Sequence, residues 1–179
     1  MGGRIRPSRL RIGVVGERQT TPQLWEAAQI VGREVARRGG ILICGGMGGV
    51  MEAASKGARE AGGEVVGILP TDSERAGNPY LTIPIPTGMG EGRNVLVVRA
   101  SHALIAIGGW YGTLVEIAYA LALKVPVVGL RTWRIERPGL EGDPIVRADD
   151  PVEAVDLAWR AALRRRSRKL RLPPGALGQ

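Results

Sequence analysis

The sequence is poor in the residue types that build disulfides, metal clusters and hydrolytic triads. Among its 179 residues are one cysteine, one histidine and no phenylalanine. A lone cysteine cannot form an internal disulfide, and Cys44 ends an apolar run, where a small core residue is expected. A single histidine provides neither a Cys/His zinc set nor a Ser-His-Asp triad. We therefore expect no metal site, and we expect that no cofactor is required.

Long hydrophobic runs are also absent. No apolar stretch reaches the ~20 residues of a membrane-spanning helix. The N-terminal segment MGGRIRPSRLRIGVV lacks the apolar region and cleavage site of a signal peptide. These absences favour a cytoplasmic protein with no membrane partner. The length suits one folded domain over residues 10–169, with a flexible arm over 1–9 and a tail over 170–179.

Acidic residues are missing from the C-terminal part of the chain, where none follows Asp156. The formal net charge is +8, and most of it comes from seven basic residues in this part: Arg160, Arg164, Arg165, Arg166, Arg168, Lys169 and Arg171. A solvated helix end, favourable to the helix dipole, explains such a run. The alternative is binding of nucleic acid or an acidic partner. No aromatic residue interleaves with the run, which favours the first interpretation.

Apolar runs alternate with segments of helical period along the whole chain. They predict strands at 10–15, 41–44, 65–69, 81–85, 103–107, 127–130 and 145–146. Helices are predicted at 21–38, 50–61, 92–101, 113–123 and 150–168, with Thr21 and Asp150 as caps. This alternation indicates the α/β class: a single-domain, Rossmann-like, doubly wound and mostly parallel sheet flanked by helices. Pro84 places the fourth strand at an edge of the sheet.

Two of the predicted strands lead directly into a glycine-rich turn and then a helix. The first turn is Gly45, Gly46, Met47, Gly48 and Gly49, and the second is Gly108, Gly109, Trp110, Tyr111, Gly112 and Thr113. Such a turn directs free backbone N–H groups and the positive end of a helix dipole towards one point, which suits an anion. Ligands of doubly wound sheets bind at the carboxyl ends of the strands. We therefore expect both turns to face one cleft that holds a phosphate.

Three side chains near the second turn have both a structural and a functional interpretation. Glu116 either caps the helix with Thr113 or points into the cleft, to bind a ribose hydroxyl or act as an acid/base. Arg93 is either a surface residue or a bidentate anion contact. Trp110 either stacks on a ring or fills the turn. Neither a GxGxxG nor a GxxxxGK[ST] motif occurs, which disfavours dinucleotide binding and P-loop chemistry.

The helix predicted at 113–123 is apolar on nearly every side. A helix of this kind must be covered on both sides. The sheet covers one side, and a second subunit would cover the other. We therefore expect a homo-oligomer that associates through this helix, as a dimer or a tetramer.

Three segments carry a family resemblance: GGMGGVMEAASKGA (45–58), GMGEGRN (88–94) and IAIGGWYGTLVE (105–116). They resemble the LONELY GUY/molybdenum-cofactor-carrier superfamily, once called possible lysine decarboxylases, and within it the cofactor-carrier-like branch. The family hallmark PGGxGTxxE falls on residues 108–116, and its upstream arginine falls on Arg93. In the phosphoribohydrolase branch, the resemblance makes Arg93 and Glu116 the catalytic pair, with Gly112 and Thr113 at the phosphate.

Departures from the hallmark bear on the choice between binding and catalysis. Gly108 replaces the hallmark proline, Trp110 replaces a glycine, and Asn94 replaces the lysine that usually follows the arginine. These departures argue more against the hydrolase interpretation than against the predicted fold. Nothing resembles a pyridoxal-phosphate lysine site, which disfavours lysine decarboxylation.

The sequence therefore predicts a binding protein for a phosphorylated ligand, either molybdenum cofactor or a nucleotide. The alternative is a nucleoside 5′-monophosphate phosphoribohydrolase, which cleaves an N-glycosidic bond with Arg93 and Glu116 as catalytic residues. The candidate ligand-binding residues are Gly45, Gly46, Met47, Gly48, Gly88, Met89, Arg93, Gly109, Trp110, Tyr111, Gly112, Thr113 and Glu116.

Overall fold

The computed structural model describes residues 9–136, 138–139 and 141–171, with the backbone alone for 168–171. Within these residues the strands are β1 (Arg11–Gly16), β2 (Ile41–Cys44), β3 (Glu64–Leu69), β4 (Ile83–Pro86), β5 (Ala103–Ile107), β6 (Val127–Leu130) and β7 (Val146–Arg147). The helices are α1 (Pro22–Arg37), α2 (Val50–Glu60), α3 (Asn94–Ala100), α4 (Tyr111–Ala122) and α5 (Pro151–Arg171), with short 3₁₀ turns at Glu74–Ala76 and Gly90–Arg93.

The strands form one sheet in the order β4-β3-β2-β1-β5-β6-β7, and every described pair is parallel. This confirms the predicted α/β, doubly wound fold. The chain builds the sheet outwards from β1 to the edge strand β4, then returns to add β5 on the other side of β1. The strand order therefore reverses between β1 and β5, and a crevice opens at their carboxyl ends.

Two apolar layers cover the sheet, one on each face. Helices α1, α2 and α5 pack on one face, and α3 and α4 pack on the other. Consecutive residues of β1 supply both layers, because strand side chains alternate between faces: Val14 joins the first layer and Val15 the second. The loop after β1 leads to one face and the loop after β5 to the other, which separates the walls of the crevice.

The predicted caps of the first and last long helices are confirmed. The Thr21 hydroxyl accepts from the Leu24 N–H at 3.3 Å. Asp150 Oδ1 accepts from the Val152 N–H at 2.8 Å and from the Glu153 N–H at 2.9 Å. These contacts satisfy N–H groups that have no partner within a first helical turn.

Other predicted boundaries are wrong by a few residues. Helix α4 begins at Tyr111 because Trp110, in extended backbone, is its N-cap. Thr113 is therefore a buried residue of the first turn, and the capping-box interpretation of Glu116 is wrong. The 3₁₀ turn Gly90–Arg93 takes up the start of the helix predicted at 92–101. Helix α5 continues to Arg171, so the tail predicted from 170 begins inside it; residues 1–8 and 172–179 lie outside the described residues.

At least one residue of the basic C-terminal segment, Arg165, has a structural role. The Arg165 Nε–H donates to the Lys124 carbonyl at 3.0 Å, and its Nη1 donates to the Ser101 carbonyl at 3.3 Å. These carbonyls follow α4 and α3, so the guanidinium satisfies acceptors at two helix ends. In the described part of the chain, no helix is both long and apolar enough to cross a bilayer.

Candidate functional site

A pocket of about 790 Å³ opens at the carboxyl ends of β1 and β5. Three segments and one α2 side chain line it. They are Gly16, Glu17, Arg18 and Gln19 at the end of β1 and in the loop after it; Glu91, Arg93 and Asn94 around the start of α3; Trp110, Tyr111, Gly112, Thr113, Val115, Glu116 and Tyr119 of the second glycine-rich turn and α4; and Met51 of α2. The volume is in the usual range for small-molecule sites.

Arg93 lies at the inner wall of this pocket with only 3% of its surface exposed, so its interpretation as a surface residue is wrong. Its Nη1 is 3.6 Å from Glu116 Oε1 and donates to Asn94 Oδ1. Its Nη2 donates to the Gly45 carbonyl at 3.3 Å. A Cβ at Gly45 would be 2.5 Å from Nη2, so a glycine is needed for this approach. The Nε–H has no hydrogen-bond partner among the described residues.

Glu116 is the buried partner of Arg93 and is 6% exposed. Burial raises the pKa of its carboxyl to about 8; the nearby Arg93 cation lowers the pKa, and the Glu91 carboxylate adds to the increase. Burial also lowers the pKa of Arg93. At neutral pH Glu116 is therefore mostly protonated, and it can donate as well as accept a hydrogen bond in the pocket.

The first turn of α4 forms another side of the pocket. Gly108 and Gly109 bring the chain to the helix with φ of +55° and +110°, a conformation that favours glycine. No side chain caps α4, and its first-turn residues Gly112 and Thr113 line the pocket. An uncapped helix N-terminus directs N–H groups and positive partial charge towards this space. The turn therefore has the features that bind an anion.

The loop after β1 forms a wall of the pocket that no sequence motif predicted. The Glu17 carboxylate accepts from the Gly109 N–H at 3.2 Å. Arg18 forms an ion pair with Glu91 at 3.0 Å, which joins this loop to the segment before α3. The predicted topology could have identified this loop, because the first strand of a doubly wound sheet lies where the strand order reverses, next to the ligand crevice.

The first glycine-rich turn is not part of the pocket lining. Gly46 packs against Leu69 and Leu81, and the Met47 carbonyl accepts from Asn78 Nδ2 at 3.1 Å. The turn joins β2 to α2, which lies on the same face as α1, so no crevice opens between β1 and β2. The pocket thus combines the second turn with the loop after β1, not the two predicted turns. Gly45 contributes through Arg93, and ligand contacts by Gly46, Met47 and Gly48 stay a prediction.

The remaining candidates lie close to the pocket but do not line it. Gly88 has a φ of +64°, and Met89, which is half-exposed, precedes the 3₁₀ turn that carries Arg93. Gly109 lies behind the lining and is held by Glu17. Cys44 is fully buried, and burial raises the pKa of its thiol, as expected of a core residue. The described residues contain no group of three or more metal-ligand side chains.

Comparisons with known proteins converge on one family. Residues 9–155 match the SLOG cluster4 family. An uncharacterized protein of Archaeoglobus fulgidus is 45% identical over 133 residues, which cover 69% of this chain and 87% of that protein. The molybdenum cofactor binding protein of Rippkaea orientalis shares the fold with a TM-score of 0.78 and 33% identity, over 86% of this chain and 97% of its own.

A second group of relatives matches over a shorter region. A cytokinin riboside 5′-monophosphate phosphoribohydrolase of Arabidopsis thaliana is 37% identical over 91 residues. That alignment covers 49% of this chain and 40% of the plant enzyme. The sequence match thus spans less than half of the plant enzyme's length, whereas the superposition on the cofactor-binding protein spans nearly all of that chain.

Proposed function

Because the chain belongs to the SLOG cluster4 family, of the LONELY GUY/molybdenum-cofactor-carrier-like superfamily, we propose that it binds a phosphorylated small molecule in the pocket between β1 and β5. The anionic group lies against the first turn of α4 and is held by the N–H groups there. Arg93 supplies the positive charge at the inner wall. The ligand is molybdenum cofactor or a nucleotide, and both carry a phosphate.

One observation carries this proposal: a buried guanidinium with an unused donor stands beside an uncapped helix N-terminus. A buried N–H without a partner costs about 1–3 kcal/mol, and a ligand oxygen that reaches the Arg93 Nε–H would recover that cost. The local charges support the same conclusion. Glu17 is bound to the turn and Glu91 to Arg18, and Glu116 is mostly protonated at neutral pH.

The proposal predicts that nucleoside monophosphates bind without being cleaved. AMP, GMP and ribose 5-phosphate are titrated into the protein by calorimetry, and free adenine is then measured by chromatography after prolonged incubation with AMP. We expect saturable binding of all three and no adenine above the level of a protein-free control. Absence of binding by all three would contradict the phosphorylated-ligand proposal itself.

A second candidate is favoured by the Arg93–Glu116 pair: a nucleoside 5′-monophosphate phosphoribohydrolase. Arg93 would orient the substrate, and the Glu116 carboxylate would stabilise positive charge that develops on the ribose as the N-glycosidic bond breaks. A carboxyl with a pKa of about 8 is mostly neutral at pH 7 and stabilises such a cation less well. If the wild type releases adenine from AMP and Glu116→Ala does not, the hydrolase replaces the binding protein as the proposed function.

We also propose that the protein is a homo-oligomer that associates through α4. An apolar stripe follows one side of this helix and is exposed: Tyr111, Val115, Ala118, Tyr119 and Ala122. The spacing is that of one helical face. Three of these residues, Tyr111, Val115 and Tyr119, also line the pocket, so a second subunit on this face would close part of its mouth.

A charge placed on the α4 stripe should separate the subunits. Val115 and Val152 are almost equally exposed, at 44% and 43%, but Val152 lies in the first turn of α5. We expect the wild type and Val152→Glu to sediment as the same oligomer, and Val115→Glu to sediment as a monomer, because a buried unpaired carboxylate is costly. A monomeric wild type at micromolar concentration would contradict the proposed association.

A further inference from the structure

Three aromatic rings stand together at the rim of the pocket. Trp110 and Tyr111 line it and are 69% and 64% exposed. Their ring centroids are 5.5 Å apart. The ring centroid of Trp133, in the segment after β6, lies 5.8 Å from that of Tyr111. Exposed apolar groups of this size at a pocket mouth are typical of binding surfaces. We call these three residues the aromatic cluster.

The aromatic cluster is fixed to the fold rather than loosely attached. The Trp133 indole N–H donates to the Trp110 carbonyl at 3.3 Å. Trp133 also packs against the apolar layer that α3 and α4 form. Trp110 is the N-cap of α4, so its backbone is set by the start of the helix. The Trp133 ring and the Trp110 backbone are thereby positioned before any ligand arrives, which lowers the entropy cost of binding.

We propose that the aromatic cluster is a stacking surface for a planar heterocycle, so that Trp110, which stands where the family hallmark has a glycine, determines the affinity of this pocket for the ring of its ligand. Trp110 supplies the ring face, Tyr111 lies against its ring, and Trp133 binds its backbone carbonyl. This inference rests on the proposed function, because it assigns the part of the same ligand that lies beyond the phosphate.

The chain spacing limits the length of such a ligand. Trp110 directly precedes the first turn of α4, whose N–H groups would hold the phosphate. A ligand that contacts both must therefore carry its ring close to its phosphate. The pocket lining also includes Val115, Tyr119 and Met51, whose apolar side chains can contact the ring or the part of the ligand that joins it to the phosphate. A bare phosphate or a sugar phosphate would leave the rings uncovered.

The test separates the ring contribution from the phosphate contribution. Wild type, Trp110→Ala and Trp110→Phe are titrated by calorimetry with AMP, GMP and ribose 5-phosphate. AMP and GMP carry a purine ring and ribose 5-phosphate carries none, so the comparison isolates the contribution of the ring. Stacking on an aromatic side chain accounts for roughly a 10- to 100-fold change in affinity per ring. We expect wild type to bind at least one nucleotide more tightly than ribose 5-phosphate by that factor.

In Trp110→Ala the advantage of the nucleotide should disappear, while the affinity for ribose 5-phosphate stays within about 2-fold. Trp110→Phe should keep most of the nucleotide affinity, because a ring remains. Trp159→Phe is the control, since Trp159 packs against the layer on the other face of the sheet. Sedimentation of each variant accompanies the titrations.

Each remaining outcome overturns the stacking proposal in an identifiable way. Equal affinity of wild type for nucleotides and ribose 5-phosphate shows that no ring is recognised, while the phosphate site stands. Equal weakening of both in Trp110→Ala shows that Trp110 acts through the turn. A changed oligomeric state in Trp110→Ala shows that a second subunit covers the rings. Failure of every phosphate to bind removes the proposed function as well.

Discussion

Replacing Arg93 with methionine is expected to weaken AMP binding by roughly 100-fold at pH 7, which corresponds to about 3 kcal/mol. The substitution removes the only buried cation that the described residues contribute to the pocket lining, and it keeps an unbranched apolar stem in its place. A charge-assisted contact between a guanidinium and a phosphate is worth more than a neutral hydrogen bond. The helix N-terminus of α4 remains, so residual binding should persist. Calorimetric titration measures the loss.

The folded state should survive this substitution, for an electrostatic reason. Loss of Arg93 leaves Glu116 buried without a counter-charge, but the Glu116 carboxyl has a pKa of about 8 even with the arginine present. It therefore stays protonated at pH 7 and buries no charge. The Gly45 carbonyl loses its donor, so we expect unfolding to become easier by about 1–3 kcal/mol, a change that urea denaturation detects.

Arg99→Met is the matched control. Arg99 lies six positions further along the chain, is exposed, and belongs to α3, the helix that follows Arg93. The control variant should bind AMP as the wild type does. An Arg93→Met variant that is folded and binds AMP within 2-fold of the wild type would show that the anion does not depend on this guanidinium.

The sequence was sufficient for the fold because its local signals agree with one another. β5 and β6 are continuous apolar runs, as expected of parallel strands that are buried on both faces, and their predicted limits are those observed. Thr21 followed by Pro22 locates the start of α1, and Asp150 followed by Pro151 locates that of α5. These signals lie within a few residues of the chain, so no knowledge of the tertiary structure was needed.

The site was predicted less completely because it depends on strand order. The glycine-rich pattern identified the turn after β5 and gave equal weight to the turn after β2, although only the former lies where the strand order reverses. The loop after β1 carries no glycine motif beyond Gly16, so Glu17 and Arg18 were missed. Composition alone also could not show that Arg93 and Glu116 are buried together, since each is common on protein surfaces.

The second large effect concerns Glu116 and pH. Its ordinary pKa is 4.5, and burial raises the pKa to about 8 in the folded protein. Between these values the folded state keeps a proton that the unfolded state has lost. The free energy of unfolding therefore falls as pH rises, by up to about 1.4 kcal/mol per pH unit from this group. Below pH 4.5 the contribution of Glu116 to the free energy of unfolding is at its maximum, and above pH 8 this contribution falls no further.

Glu116→Gln removes this dependence, because glutamine is neutral at every pH. At pH 5 the difference between wild type and variant should still be small, since pH 5 lies close to the unfolded pKa of 4.5 and only a minor part of the stabilisation has been lost. Towards pH 8 the wild type should lose several kcal/mol relative to the variant, at most about 5 kcal/mol over the whole interval. Urea denaturation at pH values from 5 to 9 measures both curves. Other titrating groups are common to both proteins and cancel in the difference.

The exposed Glu26 of α1 provides the control, and Glu26→Gln should follow the pH curve of the wild type. The same proton also connects Glu116 to the ligand. An anion bound near Arg93 opposes a second negative charge, so it favours protonated Glu116, and AMP binding by the wild type should weaken as pH rises through 8. Glu116→Gln should keep its affinity over that range. If the two proteins instead show parallel stability curves and parallel loss of AMP binding, then Glu116 is charged in the folded state and the pocket is more acidic than proposed.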